Sequence, residues 1–513
     1  MGPFGGGLAR ICAVVAAPSA VQMASQVRAA LRETSTVELR IDWLSSDTER
    51  TRFLAWLRRN RPRNATFLVT CRRKGAGGLF PGSIECQVYW LIQAREAGCG
   101  WCDIEIETLR ELPDQSIREY AVPHRVMLSL HDFNRTPPLD RAFKIPAHGE
   151  VDVVKIAANA RTIADSVRLL RLARRSQNCV ASPMGEIGLP GRILSLRQGS
   201  VLTYAPVAQA TAPGQVSLRD LKHLYRAHKL DGRTKVYGVI ANPVAHSLSP
   251  LLHNSAFAAR RMNAVYLPFL VKDLRDFLKA IPEFGIHGFS VTLPHKQTIL
   301  KHLDECDPLA EKIGAVNTVT IRRDGSLAGC NTDYVGVLRS LQRKLKLAGS
   351  RVLIFGAGGS ARAAAFALAR SGAFVGVCAR REHAARELAR AVGGDVVPRR
   401  ALRTESFDAL INTTPIGMHP AGRISPLQPG ELHCRIVMDL IYRPEQTRLL
   451  QIAASKGIAT VSGVDMFLAQ GIAQWELWTG QRAPEGIMRR AIVAALRSEQ
   501  RPSGSAGKSR RRR

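Results

Sequence analysis

The first 230 residues alternate repeatedly between short runs rich in apolar and β-branched residues and longer amphipathic stretches. The strand-like runs are 11–16, 36–42, 65–71, 102–106, 125–131, 151–157, 178–184 and 200–205, with helix-like stretches such as 24–34 and 162–176 between them. Alternation of this kind builds a parallel sheet covered by helices, and eight repeats predict closure into a (β/α)8 barrel. The apolar run 11–17 reads as the first of these strands, because it is too short to span a membrane and lacks the basic leader and small-residue cleavage site of a signal peptide. At about 150 residues per domain, the 513 residues leave room for two further domains.

The strands carry charge where a parallel sheet favours apolar side chains. Glu38, Arg40 and Asp42 alternate and so share one face of their strand. Arg72 ends the next strand, Asp103 and Glu105 lie on the fourth, His131 ends the fifth and Lys155 sits in the sixth. Any one of them suits a buried ion pair. Together, near the C-terminal ends of different strands, they read as a barrel active site. Lys155 lies in Val-Asp-Val-Val-Lys-Ile-Ala, with no exposed face for an amine. A buried lysine tends to lose its proton and becomes a nucleophile toward carbonyls. His131 offers acid/base chemistry near neutral pH. Lysine, histidine and several arginines point to imine chemistry on an anionic ketone.

The segments Glu38-Leu-Arg40, Thr70-Cys-Arg72, Ser129-Leu-His131-Asp-Phe, Val154-Lys155-Ile, Met184-Gly185 followed by Arg192, Gly199-Ser200 and Ala212-Pro-Gly-Gln215 resemble type I 3-dehydroquinate dehydratase. The resemblance implies that Lys155 forms a Schiff base with the substrate ketone and that His131 moves the proton. It assigns Glu38, Arg40, Arg72, Arg192, Thr211 and Gln215 to the substrate's carboxylate and hydroxyls, a task for which a guanidinium fork is well shaped. Three positions depart from the family pattern: Ala76 stands where a glutamate is usual, Gly191 where a serine is usual, and Thr211 replaces a serine while keeping the hydroxyl.

A polar stretch with Gly232, around 227–234, predicts a domain junction, and a new strand follows at 235–241. Ser247 and Ser249 sit in a loop entering a helix at about Pro250, where two hydroxyls can bind a ligand or merely cap the helix. Phe289-Ser-Val-Thr292-Leu-Pro-His-Lys296, Gly314-Ala-Val-Asn317-Thr and Cys330-Asn-Thr-Asp333 bring a lysine and an aspartate that can form a proton-transfer pair. Arg351-Val-Leu-Ile-Phe-Gly356-Ala357-Gly358-Gly359-Ser360-Ala361 reads as a strand turning into a helix, with a second strand at 374–379, which is the context a dinucleotide-binding glycine motif needs. Glycines admit the pyrophosphate to the backbone, and the helix N-terminus favours its charge. The second strand ends in Ala379-Arg380-Arg381 rather than in an acidic residue, which points to the 2′-phosphate of NADP.

These motifs, with Asn412-Thr-Thr-Pro-Ile-Gly417-Met, Asp439-Leu440-Ile-Tyr442 and Gly463-Val-Asp-Met-Phe-Leu-Ala-Gln470, resemble shikimate dehydrogenase. The resemblance implies Lys296 as general acid/base with Asp333 as its partner. Ser247, Ser249, Thr292, Asn317, Tyr442 and Gln470 would bind shikimate. Gly356 to Ser360, Ala379 to Arg381, Leu440 and Gly463 would line the NADP site. Ser290, where many bacterial members have asparagine, looks like the fused plant-type enzymes, and so does the order of the two halves. The expected fold is therefore an α/β chain. A (β/α)8 TIM barrel (1–230) precedes a two-lobed module with a substrate domain (234–335 plus 463–498) and a Rossmann-type NADP domain (336–462), and 499–513 form a disordered basic tail. The expected activity is dehydration of 3-dehydroquinate followed by NADPH reduction of 3-dehydroshikimate to shikimate, in aromatic amino acid biosynthesis. A working shikimate or quinate dehydrogenase on an impaired barrel is the competing reading.

The net charge of +31 raises a third alternative, a polyanion binder. Its basic residues are spread along the chain rather than gathered in one module, apart from six after Gln500, so no dedicated nucleic-acid role is expected. Ten scattered cysteines fit free thiols in a reducing compartment, hence a cytoplasmic location. Cys99-Gly-Trp-Cys102 closes a helix rather than opening one, unlike a redox motif, and no ligand set for a metal is expected. No apolar run reaches membrane-spanning length, so no membrane partner is expected, and the chain would act as a monomer or homodimer on small molecules.

Overall fold

A computed structural model describes residues 7–111, 125–139, 151–176, 178–208, 214–418 and 422–500. Two compact units emerge: Met1–Val236 with Asn263–Ile286, and Tyr237–Met262 with His287–Arg513. Among the described residues no helix is long and apolar enough to cross a membrane.

Eight strands form the sheet of the first unit: β1 (Ile11–Val15), β2 (Thr36–Arg40), β3 (Thr66–Thr70), β4 (Trp101–Glu105), β5 (Arg125–Asp132), β6 (Val153–Asn159), β7 (Cys179–Met184) and β8 (Thr203–Pro206). Their order is β7-β6-β5-β4-β3-β2-β1-β8, and the neighbouring pairs are parallel. The ends of this order are joined beyond the ladder by Val201 N–H donating to the Cys179 carbonyl at 3.0 Å, so the barrel is nearly closed. Local chemistry sets the helices between strands. Thr162 opens Ile163–Arg175 with a capping box: its hydroxyl accepts from Asp165 N–H, and the Asp165 carboxylate accepts from Thr162 N–H.

Side chains on a strand recur on one face every second residue, and this period layers the barrel interior. One layer is apolar: Cys12, Val14, Leu68, Trp101, Met127, Val153, Val180 and Tyr204 form a buried plug. Two residues further along, the same faces present Thr70, Asp103, Ser129 and Lys155, all buried. Two further again come Arg72, Glu105 and His131. The plug is a dry floor, and the polar layers above it are the site. Asp42 departs from expectation. The strand stops at Arg40, and Ile41–Trp43 forms a 3-10 turn that swings the Asp42 carboxylate back onto the Arg40 guanidinium.

β9 (Lys235–Ala241), β10 (Ala264–Leu270), β11 (Ile286–Val291), β12 (Glu305–Cys306), β13 (Thr318–Ile321) and β14 (Leu327–Cys330) follow. β10 and the helix Leu274–Phe284 group with the first unit. In the second unit β9, β11, β13, β14 and β12 adjoin in that order, with β11–β13 and β13–β14 antiparallel. A second sheet holds β15 (Arg351–Phe355), β16 (Phe374–Cys378), β17 (Asp395–Val396), β18 (Phe407–Asn412), β19 (Cys434–Asp439) and β20 (Ala459–Val461). Its order β17-β16-β15-β18-β19-β20 is parallel throughout, the doubly wound arrangement of a dinucleotide fold. Its buried strands and the alanine-rich face of Gly359–Arg370 share one core. The last helix, Glu485–Gln500, runs two residues into the stretch expected to be tail, because its helical pattern continues through Arg497 and Ser498; residues 501–513 lie outside the described residues.

Candidate active sites

In the first unit the charged layer closes around Lys155, which is 5% exposed. Its Nζ donates to Asp103 Oδ2 at 3.0 Å, lies 3.6 Å from Glu38 Oε1 and stands 4.0 Å from the centre of the Tyr204 ring. The other Asp103 oxygen accepts from Arg72 Nη2 at 2.7 Å and from Ser129 Oγ at 2.6 Å. Burial alone would raise the Asp103 pKa, but Lys155 and Arg72 overcome it and hold the carboxyl well below the usual range. Arg72 Nη1 lies 3.0 Å from His131 Nε2. A guanidinium only donates, so Nε2 accepts and the imidazole carries its proton on Nδ1. Burial first, then the Arg72 and Lys155 cations, push the His131 pKa well below 6.5 and leave a neutral base.

Glu38 accepts from Thr70 Oγ1 at 2.7 Å, and Arg40 is held by Asp42 through two hydrogen bonds. Arg192, on Leu189–Leu194, is fully buried; burial lowers its pKa to about 10, so it stays a cation at neutral pH. Glu38, Arg40, Arg72, His131, Lys155, Arg192 and Gln215 line one cavity. Thr211 lies outside the described residues.

In the second unit Lys296 Nζ donates to Asp333 Oδ2 at 2.5 Å, and Asn317 Nδ2 donates to Asp333 Oδ1 at 2.8 Å. Asp333 begins the helix Asp333–Gln342, where the helix dipole favours a carboxylate. Asn317 Oδ1 accepts from Thr332 N–H at 2.7 Å, which fixes the amide. The other candidates come from separate elements. Ser247 Oγ accepts from Ser249 N–H at 3.3 Å as Ser249–Ala259 begins, one residue before Pro250. Thr292 N–H donates to the Ile240 carbonyl just after β11. The Tyr442 ring stacks on Phe467 at 4.9 Å, and Gln470 Nε2 donates to the Phe467 carbonyl at 2.8 Å. Among the described residues no hydrogen bond joins these five to Lys296 or Asp333.

The glycine motif behaves as its composition demands. Gly356 has φ +123°, and a Cβ there would come within 2.4 Å of Thr413 Oγ1. A Cβ on Gly358 or Gly359 would meet nothing within 4 Å, so the space over them is open. The 12-residue helix Gly359–Arg370 has no side-chain cap on its N-terminus, so its first N–H groups and Ser360 can serve a phosphate. Ala357 precedes them, and Ala361 packs into the core. Ala379, Arg380 and Arg381 follow β16, with both guanidinium side chains exposed and in no ion pair among the described residues. Leu440 follows β19, and its N–H donates to the Asn412 carbonyl. Gly463 packs so closely that a Cβ would lie 2.3 Å from the Ile441 backbone. These residues fit an NADP-type dinucleotide.

Residues 11–231 match the Type I 3-dehydroquinase family, 239–319 the Shikimate dehydrogenase substrate binding domain, and 463–493 the Shikimate 5'-dehydrogenase C-terminal domain. The bifunctional 3-dehydroquinate dehydratase/shikimate dehydrogenase, chloroplastic, of Arabidopsis thaliana is 35% identical over 503 residues, covering 93% of this chain and 83% of that protein. The chain belongs to the bifunctional dehydroquinate dehydratase/shikimate dehydrogenase family. For the dehydrogenase half alone, shikimate dehydrogenase (NADP(+)) of Bacillus cereus (strain G9842) is 42% identical over 274 residues, covering 51% of this chain and 99% of that protein. The crystal structure of shikimate 5-dehydrogenase from Thermus thermophilus in complex with NADP(H) and shikimate is 36% identical, covering 51% of this chain and 99% of that one, with a TM-score of 0.47.

Several residues that hold the sites were given no individual role by the sequence. In the dehydratase half these are Asp103 and Tyr204, which touch Lys155, and Ser129, which holds Asp103. Asp103 had a signal, an acid at an inward position of a parallel strand, and Ser129 opens the matched segment Ser129-Leu-His131-Asp-Phe; Tyr204 had none beyond its strand period. In the dehydrogenase half, buried Gln474 donates to Thr318 Oγ1 and accepts from Ser290 Oγ, tying the Asn317 strand to the helix Gly463–Thr479. Asp439 accepts from Asn412, Thr447 and Ile441 N–H, bracing the ends of β18 and β19.

Proposed function

We propose that the chain catalyses two consecutive steps, dehydration of 3-dehydroquinate to 3-dehydroshikimate and NADPH-dependent reduction of that product to shikimate. The observation that carries this is one lysine–aspartate site in each half, Lys155–Asp103 and Lys296–Asp333, each set among the arginines or hydroxyls its substrate requires.

In the dehydration, Lys155 Nζ attacks the substrate ketone, and water leaves as the imine forms. The imine acidifies the neighbouring C–H. His131 removes that proton and returns it to the hydroxyl, which departs as water; hydrolysis of the imine then frees Lys155. Arg40, Arg72 and Arg192 hold the substrate's carboxylate and hydroxyls with Glu38, Gln215 and Thr211. In the reduction, Lys296 gives a proton to the carbonyl oxygen while Asp333 holds its ammonium in place. Ser247, Ser249, Thr292, Asn317, Tyr442 and Gln470 hold the ring substituents. The residues from Gly356 to Ser360, with Ala379, Arg380, Arg381, Leu440 and Gly463, would hold the coenzyme, which in its reduced form, NADPH, would supply the hydride. The division of labour follows 1–230 for the barrel, 234–335 with 463–498 for the substrate domain and 336–462 for NADP. The chain works on small molecules in the cytoplasm, as a monomer or homodimer.

The test is a coupled assay with purified protein, NADPH and either 3-dehydroquinate or 3-dehydroshikimate. NADPH consumption from both, with Lys155→Ala blocking only the first, is expected. Consumption from 3-dehydroshikimate alone would show an impaired barrel, and consumption from neither would overturn the assignment.

A further inference from the structure

The charges around Lys155 form one chain of contacts rather than separate pairs. Glu38 and Asp103 flank the amine, Arg72 lies beyond Asp103, and His131 lies beyond Arg72. Asp103 is the member on which the others converge. One oxygen takes the Lys155 ammonium, and the other takes Arg72 Nη2 and Ser129 Oγ. Asp103 is fully buried on β4, over the apolar plug, so no water competes for its oxygens. The only hydrogen bond to the His131 ring among the described residues comes from Arg72. Among those residues no carboxylate touches the ring, and Ala76, in the turn Lys74–Ala76, offers none.

We propose that Asp103 is the positioning residue of the dehydration site, holding the nucleophile Lys155 with one oxygen and, with the other, the Arg72 guanidinium that orients the base His131. This rests on the dehydration assigned above. Arg72 Nη1 faces His131 Nε2 and keeps the ring's proton on Nδ1, while Asp103 fixes the guanidinium that sets the plane of the ring. Asp103 itself touches no substrate atom and takes no proton.

The experiment uses the full-length protein, 3-dehydroquinate as probe, and borohydride to reduce the imine to a stable adduct on Lys155 read by mass spectrometry. The wild type and Asp103→Asn are compared over pH, with dehydration followed in parallel. Removing an anion from beside an ammonium eases loss of its proton. Asp103→Asn is therefore expected to move the pH midpoint of adduct formation down by about half a unit or more. It should lower kcat about 100-fold with a much smaller change in KM, because the amine remains while the base loses its orientation. A residue needed only for folding would leave that midpoint in place. Retention of kcat within about threefold, or loss of kcat with the midpoint unmoved, would overturn the proposal. If Asp103→Asn does not fold, Ser129→Ala gives the answer. It removes the Ser129 Oγ hydrogen bonds to Asp103 and from Arg72 Nη2 and keeps both charges, and is expected to lower kcat several-fold; wild-type kcat would overturn the proposal. A wild type that yields no adduct on Lys155 would instead overturn the dehydration reading, and this proposal with it.

Discussion

Lys155 and Lys296 each donate to an aspartate, yet their surroundings differ in what they allow. Lys155 is buried between two carboxylates and over an aromatic ring. The Lys296 side chain is 23% exposed and has a single carboxylate partner among the described residues. A covalent nucleophile must be kept from water and from competing carbonyls, whereas an acid/base lysine must reload its proton each turnover. Burial serves the first need and an open flank serves the second. On the proposed assignment the same residue pair serves imine chemistry in one fold and proton transfer in the other, and burial is what separates them. The largest expected effect follows directly. Lys155→Ala should cut dehydration by about 10⁴-fold or more with reduction untouched, since no other lysine lines that cavity among the described residues. Lys296→Ala should cut reduction by about 10²–10⁴-fold with dehydration untouched. Initial rates on each substrate separately check both, and any cross-effect would break the separation of the sites.

The halves also differ in where their cations lie. The barrel holds Arg40, Arg72 and Arg192 inside, each 7% exposed or less, whereas Arg380 and Arg381 stand on the surface after β16. An exposed guanidinium can be removed without exposing a buried anion. Arg380→Ala and Arg381→Ala should raise the KM for NADPH by about 10–100-fold, the scale of a charge-assisted hydrogen bond to a phosphate. The KM for NADH should barely move, and equal losses with both coenzymes would show that these arginines do not read the 2′-phosphate.

How much of this was legible beforehand also differs between the halves. In the barrel, period-2 strands with charges at inward positions predict that Lys155, His131 and Arg72 face one interior, and the three do line one cavity. What stayed hidden was the wiring. Nothing in the sequence around 103 says that its carboxylate joins Lys155 to Arg72, since that contact spans 52 residues and depends on barrel register. Asp42 was misplaced because strand alternation cannot foresee the turn after Arg40. In the second half, Gly356 to Ser360 were readable because the glycines among them need either a positive φ or open space. Gln474 was not, because an amide in an amphipathic helix gives no hint of a partner on another strand.

Two buried aspartates sharpen the contrast in pH behaviour. Asp103 faces two cations and titrates below its usual range, so its contribution to stability is present above the unfolded value near 3.9 and is lost in acid. Asp439 faces Asn412, Thr447 and a backbone N–H, and burial pushes its carboxyl up to about 6. Its folded form binds the proton more tightly than its unfolded form. That contribution is present below the unfolded value and is lost as pH rises through about 6. Asp439→Asn keeps an acceptor for Asn412 and Ile441 N–H and carries no charge. It should therefore stabilise the dehydrogenase half by about 1–3 kcal/mol at pH 8 and by little at pH 4. Thermal unfolding at the two pH values checks the sign, and an equal shift at both would break the argument.

The smallest expected effect concerns Ala76. The family pattern places a glutamate there, and a carboxylate beside the base would ordinarily hold it in orientation. Here the ring of His131 is already held by Arg72, which is anchored on Asp103. Both terminal nitrogens of Arg72 are engaged, Nη1 with His131 and Nη2 with Asp103, although its Nε makes no hydrogen bond among the described residues, and the adjacent Arg73 is paired with Glu111. Ala76→Glu should therefore change the dehydration kcat by less than about twofold, below the scale of one net hydrogen bond. A rise of about thirtyfold or more in the initial rate on 3-dehydroquinate, well beyond one net hydrogen bond, would mean that the barrel lacks a group it needs. The contrast between the two lysine sites would then be one between a damaged centre and an intact one, rather than between two chemistries.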